Sequence, residues 1–385
     1  MHSKAWKVSA SVLLALRPSV LRDSLLKVEN TRAMLRSDQK QQNDQGGGFH
    51  ILTLRRGETD KHLPGIHVFP GGHLDEADTS PAWIDLFRSL GYEEKSFMSL
   101  STGGSIEHSP EYKEVDGGHL PGWMSLRLCA IRETFEESGI LLCRSAGSIE
   151  QGIGFTSFFI LNELEAWQKR VRADPRQMIA LCESAECVPD LWGLHLWSNW
   201  LTPTQQRIRH NSVFFLSVLQ SLPPYSLDSS EMDELKCCSP LDLIIGAQSG
   251  KLRLANPQFY EAARLSNFSN AESLISFASN RAQLGCCRTM PVQERAKDGM
   301  LFLLPGDSAY PKTVDYETSG QLTKREESLE ELRNDVMKSG GTLHRTEVPT
   351  GSPSQRVIVH NYVPPYEHIS PPHFNNRRKE ILSTL

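Results

Sequence analysis

The feature that most constrains this chain is a group of three glutamates within a predicted helix. Over residues 123–142 apolar side chains recur at helical spacing, and Gly139 suits the end of the helix. Glu133, Glu136 and Glu137 stand at i, i+3 and i+4, so they project from one face. Like charges at that spacing repel, and a divalent cation with a preference for oxygen ligands would relieve the repulsion. The helix alone leaves a metal site and a solvent-exposed acidic face equally open.

Charge and composition narrow the class of protein that this helix can belong to. The chain has 385 residues, of which 39% are hydrophobic and 23% charged, which predicts one large folded domain or two ordinary ones. Its net charge of -5 argues against a dedicated nucleic-acid-binding protein. The unbroken apolar runs are too short to span a bilayer, so we predict a soluble protein without a membrane partner.

Strand and helix patterns alternate along the chain, which predicts an α/β (α+β) fold of three layers. We predict strands at 6–16, 49–55, 65–72, 197–203 and 212–219, and helices at 162–172, 175–186, 258–265, 271–284 and 318–338. Residues 79–123 contain a Ser/Gly-rich section and are predicted to be an insertion. The predicted domains are residues 6–250 and an extension, residues 251–385, packed on them.

The eight cysteines give no sign of a metal site in their order along the chain. They include no Cys-x-x-Cys pair, and no histidine stands at finger-like spacing from a cysteine pair. Two adjacent pairs fit a disulfide framework poorly. We therefore expect reduced thiols packed as small apolar groups, and no structural zinc site.

Two segments resemble the nudix box, whose pattern is Gly-x5-Glu-x7-Arg-Glu-U-x-Glu-Glu-x-Gly-U with U aliphatic. The first is Phe69-Pro-Gly-Gly72 followed by Asp78, and the second is Arg132-Glu-Thr-Phe-Glu-Glu-Ser-Gly-Ile140. Asp78 replaces the first Glu of the pattern, and Thr134 replaces an aliphatic residue. Residues 79–131 number 53 where the box has seven, an insertion of 46 residues. The nine-residue second segment is highly specific, so the chain is similar to nudix hydrolases.

The resemblance implies a nudix α/β/α sandwich with a mixed sheet, a long insertion inside the box and a helical C-terminal extension. It implies that residues 6–250 form the nudix hydrolase domain. Carried over residue by residue, it makes Glu133, Glu136 and Glu137 ligands of Mg²⁺ or Mn²⁺. It also makes Glu133, Arg132 and Glu136 catalytic, with Arg132 orienting the carboxylates.

An upstream pattern extends the resemblance to the coenzyme A branch of the family. Residues 52–72 keep the spacing of that pattern, with Arg56 and Lys61 as bases before Gly71 and Gly72. The bases would contact the phosphates of coenzyme A, and the glycines would let the backbone approach the substrate. The branch hydrolyses coenzyme A and acyl-CoA to 3′,5′-ADP and (acyl-)4′-phosphopantetheine. For Lys61, an exposed base on a loop is an equally good explanation.

Several alternatives remain open at this stage. The glutamates recognise a diphosphate and not its substituents, so ADP-ribose, NADH, a nucleotide sugar or an RNA cap are alternative substrates. A non-catalytic nudix-fold binding module is a weaker alternative, because the box carboxylates are all present. The general base is Glu133 or an acid from elsewhere, for which Glu231 and Glu234 are candidates.

The two ends of the chain bear on its location in the cell. The first 22 residues contain four bases and no acid, which is typical of a mitochondrial transit peptide. Their alternative is the first strand of the domain, which we prefer. The final residues, Ser383-Thr384-Leu385, match a peroxisomal signal at their outer two positions but not at Thr384. With the family resemblance they predict the peroxisome, and the mitochondrion is the alternative.

Overall fold

The computed structural model describes residues 6–17, 48–60, 63–101, 104–113, 119–145, 154–318 and 320–372. The predictions for Lys61 and for the C-terminal tripeptide lie outside these ranges. In chain order the strands are β1 (Lys7–Leu16), β2 (His50–Arg56), β3 (His67–Val68), β4 (Gly71–His73), β5 (Ile106–Glu107), β6 (Cys143–Ser145), β7 (Cys187–Pro189), β8 (His195–Leu201), β9 (His210–Leu219), β10 (Met232–Cys238), β11 (Cys286–Thr289), β12 (Val292–Ala296), β13 (Gly299–Leu303), β14 (Thr323–Lys324), β15 (Leu343–Pro349) and β16 (Arg356–His360).

The described residues also contain nine α-helices and four short 3₁₀ helices. The α-helices are α1 (Ala82–Ser89), α2 (Met98–Ser101), α3 (Gly122–Ser138), α4 (Leu164–Ala173), α5 (Gln177–Ser184), α6 (Pro240–Gln248), α7 (Asn256–Leu265), α8 (Ala271–Ala282) and α9 (Leu329–Lys338). The 3₁₀ helices cover Glu76–Thr79, Glu94–Phe97, Pro110–Tyr112 and Leu191–Gly193. None of the described helices combines the length and the apolar character that crossing a bilayer requires.

A mixed sheet of nine strands forms the centre of the molecule. Its strands follow the order β10-β2-β1-β9-β8-β11-β5, with β3 beside β2 and β4 beside β1. Side chains of a strand point alternately to opposite faces. Accordingly, Val12 and Leu14 of β1 enter a core with α3, while Leu13 and Ala15 enter a second core with α6, α7 and α8. Both faces of the sheet are covered, which confirms the three-layer α/β/α sandwich and the strand predicted at the N-terminal end.

The predicted insertion is attached to the main sheet by β11, a strand that lies far downstream of it in the sequence. Strand β5, within the insertion, pairs in parallel with β11, and β11 pairs in parallel with β8. Next to this pairing, the Arg288 guanidinium lies 2.7 Å from a carboxylate oxygen of Glu111, and both side chains are buried. The indole of Trp6 donates to the same carboxylate at 3.1 Å. The insertion therefore depends for its position on Trp6, near the N-terminal end, and on the distant segment that contains β11 and Arg288.

The C-terminal extension contains the predicted helices and also a second sheet that the sequence pattern did not reveal. Helices α7 and α8 pack on the main sheet, while β14-β12-β13-β15-β16 form a separate five-stranded sheet. The helix predicted over 318–338 was wrong at its start, since it begins at Leu329. The Ser328 hydroxyl accepts from the backbone N–H of Glu331, and the Glu331 side chain accepts from the N–H of Ser328. This reciprocal capping fixes the first turn there.

The predicted domain boundary between residues 250 and 251 stays a prediction.

Candidate active site

The predicted glutamate helix is α3, which runs along one face of the main sheet. It ends where expected, because Gly139 adopts a left-handed φ of 72° and its N–H donates to the Phe135 carbonyl. Side chains almost all round this helix are buried. Thr134, which replaces an aliphatic residue of the nudix pattern, is fully buried and satisfies its hydroxyl on the Ala130 carbonyl at 2.7 Å. A threonine therefore fits this apolar position without an unpaired hydroxyl group.

Arg132 holds the acidic residues around it in fixed positions. Its guanidinium donates two bonds to Asp78, from Nε to Oδ1 and from Nη2 to Oδ2, both at 2.8 Å. Nη1 donates to Glu133 at 3.0 Å and to Glu136 at 2.7 Å, and Nη2 also donates to the His73 carbonyl at 2.9 Å. Asp78 is 1% exposed and directed at the guanidinium. Asp78 thus anchors Arg132, and Arg132 in turn orients two of the predicted ligands.

The double-glycine loop lies directly against the carboxylates of α3. The backbone N–H of Gly71 donates to Oε2 of Glu137 at 2.9 Å. A Cβ on Gly71 would lie 2.3 Å from the Ala10 carbonyl oxygen, and one on Gly72 would lie 2.3 Å from the Glu133 carboxyl carbon. Glycine is therefore required here to bring the loop close to both β1 and α3. Contact of these two glycines with a substrate stays a prediction.

The three glutamates carry more negative charge than Arg132 balances. Burial raises the pKa of Glu133 to about 7, with Glu136 adding to the shift and Arg132 opposing it. Burial also raises the pKa of Glu136 and, together with the charge of Glu133, that of Glu137. Burial raises the pKa of Asp78, and the bonds from Arg132 oppose that change. Clustered, partly desolvated carboxylate oxygens of this kind fit a hard divalent cation.

An open cleft of about 750 Å³ lies in front of these carboxylates. The three glutamates form one wall, and α4 and the segment 226–231 form the rest. The lining includes Lys169, Arg172 and Glu231. Arg172 also forms an ion pair with Asp228. The second wall thus carries two bases, Lys169 and Arg172, beside three acids, Glu165, Asp228 and Glu231. The cleft combines a carboxylate wall that fits a divalent cation with bases that can contact a diphosphate.

Gln168 of α4 joins the second wall of the cleft to α3, the helix that carries the glutamates. Its side-chain amide donates to the carbonyls of Phe135 at 3.3 Å, Glu136 at 2.9 Å and Ser226 at 2.8 Å. Gln168 is itself 1% exposed. One buried amide thus fixes three segments that line the cleft.

Of the remaining predicted site residues, Glu231 lines the cleft, whereas Arg56 and Glu234 are not among its lining residues. Arg56 forms an ion pair with Asp60 at 2.8 Å. Its positive charge opposes the rise in the pKa of Glu137 that burial causes. The buried Nε of Arg56 has no hydrogen-bond partner among the described residues. Of the two candidate outer acids, Glu231 lines the cleft, while Glu234 lies on β10 beside Arg55 of β2.

Comparison with models of known protein families shows which family the chain belongs to. The model of the NUDT19 Nudix domain matches residues 6–265, and that of the NUDT19 C-terminal domain matches residues 295–351. The chain belongs to the NUDT19 family of nudix hydrolases. Both segments that resemble the nudix box lie within the matched residues 6–265. Nudix hydrolases generally depend on divalent metal ions, and the carboxylates of α3 fit such an ion.

Relatives from this family match almost the whole length of the chain. An acyl-coenzyme A diphosphatase NUDT19 from Gallus gallus is 36% identical over 356 residues, covering 88% of this chain and 91% of the relative. The protein of the same name from Xenopus laevis is 32% identical over 390 residues, covering 98% and 99%. The one from Homo sapiens is 36% identical over 335 residues, covering 84% and 87%.

The sequence analysis did not predict the far wall of the cleft, which is the wall formed by α4 and residues 226–231. It predicted the helix that became α4 but did not assign a role to Lys169, Arg172 or Gln168. These three residues stand within five positions of each other, and i, i+3 spacing places Lys169 and Arg172 on neighbouring parts of one face. That spacing was the available signal. Nothing in the nudix box indicates which face of this helix would meet the glutamates.

Proposed function

We propose that this nudix hydrolase cleaves the pyrophosphate of coenzyme A and acyl-CoA, giving 3′,5′-ADP and (acyl-)4′-phosphopantetheine, with Mg²⁺ or Mn²⁺. The observation that carries the proposal is the cleft itself, whose lining combines Glu133, Glu136 and Glu137 with the bases Lys169 and Arg172. The substrate class is supported by the relatives, which are named acyl-coenzyme A diphosphatases and match this chain over most of its length.

The positive groups around the cleft would position the substrate. Lys169 and Arg172 line the same cleft as the glutamates, where they can contact oxygens of the pyrophosphate. Arg56, whose buried Nε has no partner among the described residues, is our candidate for a further phosphate contact. Coenzyme A carries a 3′-phosphate besides its pyrophosphate, so a third cationic contact matches its charge.

The residues of α3 would prepare the attack of water on phosphorus. Arg132, fixed by Asp78, holds Glu133 and Glu136 in place before the substrate binds, which reduces the reorganisation needed for reaction. Glu133 is our candidate for accepting the proton of the attacking water, because burial brings its pKa to about 7. Glu231, on the cleft wall, is the alternative acceptor. Bound Mg²⁺ or Mn²⁺ would neutralise charge on the pyrophosphate and lower the pKa of the attacking water.

The substrate assignment is tested with a panel of diphosphates. The purified full-length chain, supplied with millimolar Mg²⁺ or Mn²⁺, is incubated with coenzyme A, an acyl-CoA, ADP-ribose, NADH and capped RNA, and the products are separated by chromatography. We expect 3′,5′-ADP from coenzyme A and acyl-CoA, with the highest kcat/KM in the panel. A higher kcat/KM for ADP-ribose, NADH or capped RNA would contradict the substrate assignment and leave the hydrolase assignment intact.

The role of the glutamates is tested with Glu137→Gln. We expect this change to abolish measurable turnover while the far-ultraviolet circular dichroism stays unchanged, because it removes a charged oxygen ligand and little volume. Glu330→Gln, an exposed position on α9, is the matched control and should keep full activity. Full activity of the Glu137→Gln variant would refute the ligand assignment.

A further inference from the structure

Three cysteines that are separated along the chain meet at one point behind the cleft wall. Cys143 lies on β6, Cys182 on α5 and Cys187 on β7, and their sulfur atoms all lie within 4.8 Å of one another. All three are free thiols and are completely buried. The order of cysteines in the sequence gave no sign of a metal site, because the cluster forms only when α5 packs against the β6–β7 ribbon.

The strand register explains how two of these thiols come together. Strands β6 and β7 are antiparallel, with Cys143 opposite Pro189 and Ser145 opposite Cys187. Cys143 and Cys187 are therefore diagonal neighbours on one face of the ribbon. Helix α5 packs against β7 and brings Cys182 towards the same face. The three thiols are thus directed inward from three different elements.

We propose that Cys143, Cys182 and Cys187 bind a thiophilic d¹⁰ cation, Zn²⁺ or Cu⁺, as a structural site. A Zn–S bond of about 2.3 Å places thiolates of a tetrahedral site about 3.8 Å apart, within the observed upper limit of 4.8 Å. The three thiols would fill three positions of Zn²⁺, and a water molecule would fill the fourth. Three thiolates also complete the trigonal coordination that suits Cu⁺, and soft sulfur ligands select both ions over Mg²⁺. Each thiol gives up its proton to solvent when the ion binds.

The position of this cluster gives the ion a structural role. Cys143 follows α3 closely in the sequence, and α5 packs against α4, whose Lys169 and Arg172 line the cleft. A bound ion would tie the segment that follows the glutamate helix to α5, which packs against α4 of the cleft wall. The assignment rests on the thiols alone and is independent of the proposed substrate.

The first test measures the metal content of the full-length protein. The protein is purified in reducing buffer, and loosely held ions are removed by dialysis against a weak chelator. Elemental analysis should then find about one equivalent of zinc or copper per chain, and the element found identifies the ion. Cys182→Ser should lower this content at least about tenfold. Cys286→Ser, which removes another buried thiol outside the cluster, should keep it.

Two further measurements do not depend on whether the variant folds. Cobalt(II) added to metal-depleted wild-type protein should produce sulfur-to-cobalt charge-transfer absorption, which the glutamate site cannot give. A mercurial reagent titrated into the wild type should release the ion in step with the modification of thiols. Wild-type protein with less than about a tenth of an equivalent of zinc and copper, and without the cobalt absorption, would overturn the site. The three thiols would then be apolar packing groups.

Discussion

At the residue scale, Asp78 and Arg132 form an ion pair that is almost completely removed from solvent. The Arg132 side chain is 4% exposed and that of Asp78 is 1% exposed. Loss of the Asp78 carboxylate would leave Glu133 and Glu136 as charged partners of Arg132 but would remove two buried, charge-assisted hydrogen bonds from the guanidinium, which is costly. The sequence pattern placed Asp78 where the nudix family has a glutamate. It could not reveal that the shorter side chain still reaches Arg132 with both oxygens, because that depends on the path of the 3₁₀ turn Glu76–Thr79.

Asp78→Asn should therefore destabilise the protein strongly. We expect the free energy of unfolding to fall by about 2 kcal/mol, because the amide carries no charge and turns an NH₂ donor towards one of the two guanidinium N–H groups that Asp78 accepts. Chemical denaturation followed by circular dichroism measures this change. Asp85→Asn breaks the exposed pair with Arg88 and should cost less than about 0.5 kcal/mol. Equal losses in the two variants would contradict the structural role of Asp78.

The close approach of the glycine loop leads to a second prediction at this scale. Gly72→Ala would place its Cβ against the Glu133 carboxyl and displace that group. We expect kcat to fall at least about 100-fold, because small errors in the position of a catalytic group are expensive. Gly320→Ala, where an added Cβ would lie 3.3 Å from the nearest atom, Oγ1 of Thr204, is the control and should keep its kcat. An unchanged kcat for Gly72→Ala would mean that Glu133 has room to move without loss.

At the scale of single elements, α4 carries its charges on two different sides. Lys169 lines the cleft, whereas the Arg170 guanidinium lies over the ring of Trp167. Lys169 and Arg170 thus carry the same charge on the same helix but lie in different surroundings. This contrast provides a matched pair for testing the far wall.

Lys169→Ala should weaken substrate binding. We expect the KM for the diphosphate substrate to rise about three- to tenfold, the equivalent of roughly 1 kcal/mol, because one charge-assisted contact is lost. Arg170→Ala should leave KM unchanged. Steady-state kinetics at two salt concentrations would separate the effects, since only the contact made by Lys169 should weaken with salt. A KM that changes equally in both variants would show that the wall acts through its net charge alone.

The elements that were predicted well from the sequence are those whose apolar residues follow a clear pattern. The run of apolar residues in β1 and the helical spacing in α3 were both sufficient, since each element is buried on more than one side. The second sheet was missed because β12 and β13 are five residues each and show a partly exposed pattern. The glutamates were predictable because their geometry is local to one helix. The far wall and the thiol cluster were not, because they depend on contacts between distant segments.

At the scale of the whole molecule, the raised pKa of Glu133 links stability to pH. In the metal-free protein this carboxyl has a pKa of about 7 instead of 4.5, so the folded state holds a proton that the unfolded state releases. The stability is present below pH 4.5 and is lost as pH rises to about 7. We expect the loss to be on the order of 3 kcal/mol.

Denaturation in the presence of a chelator, at several pH values, measures this effect. The difference between wild type and Glu133→Gln reports this group together with its effect on Glu137, whose pKa the charge of Glu133 raises. The wild type should lose more stability than the variant between pH 4.5 and pH 7. A parallel pH dependence in the two proteins would contradict the shift. Excess Mg²⁺ should reduce the slope of the wild type, because the cation takes the place of the proton.

Two predictions about the whole chain remain open. The peroxisome stays our proposal for its location, and fusion of the last residues to a fluorescent protein would test it. The division at residue 250 also stays a prediction. The family models match residues 6–265 and 295–351, so β11 falls between them.

The parallel pairing of β5 with β11 has a consequence for how the chain is made. Glu111 and its partner Arg288 are separated by 177 residues. A ribosome adding about 5–20 residues per second needs roughly ten to forty seconds to cover that distance. Throughout this time the nascent insertion has no neighbouring strand to dock on. The polypeptide must therefore finish this part of its nudix domain late in translation, and messages cut short before codon 286 should yield products that chaperones or proteases remove.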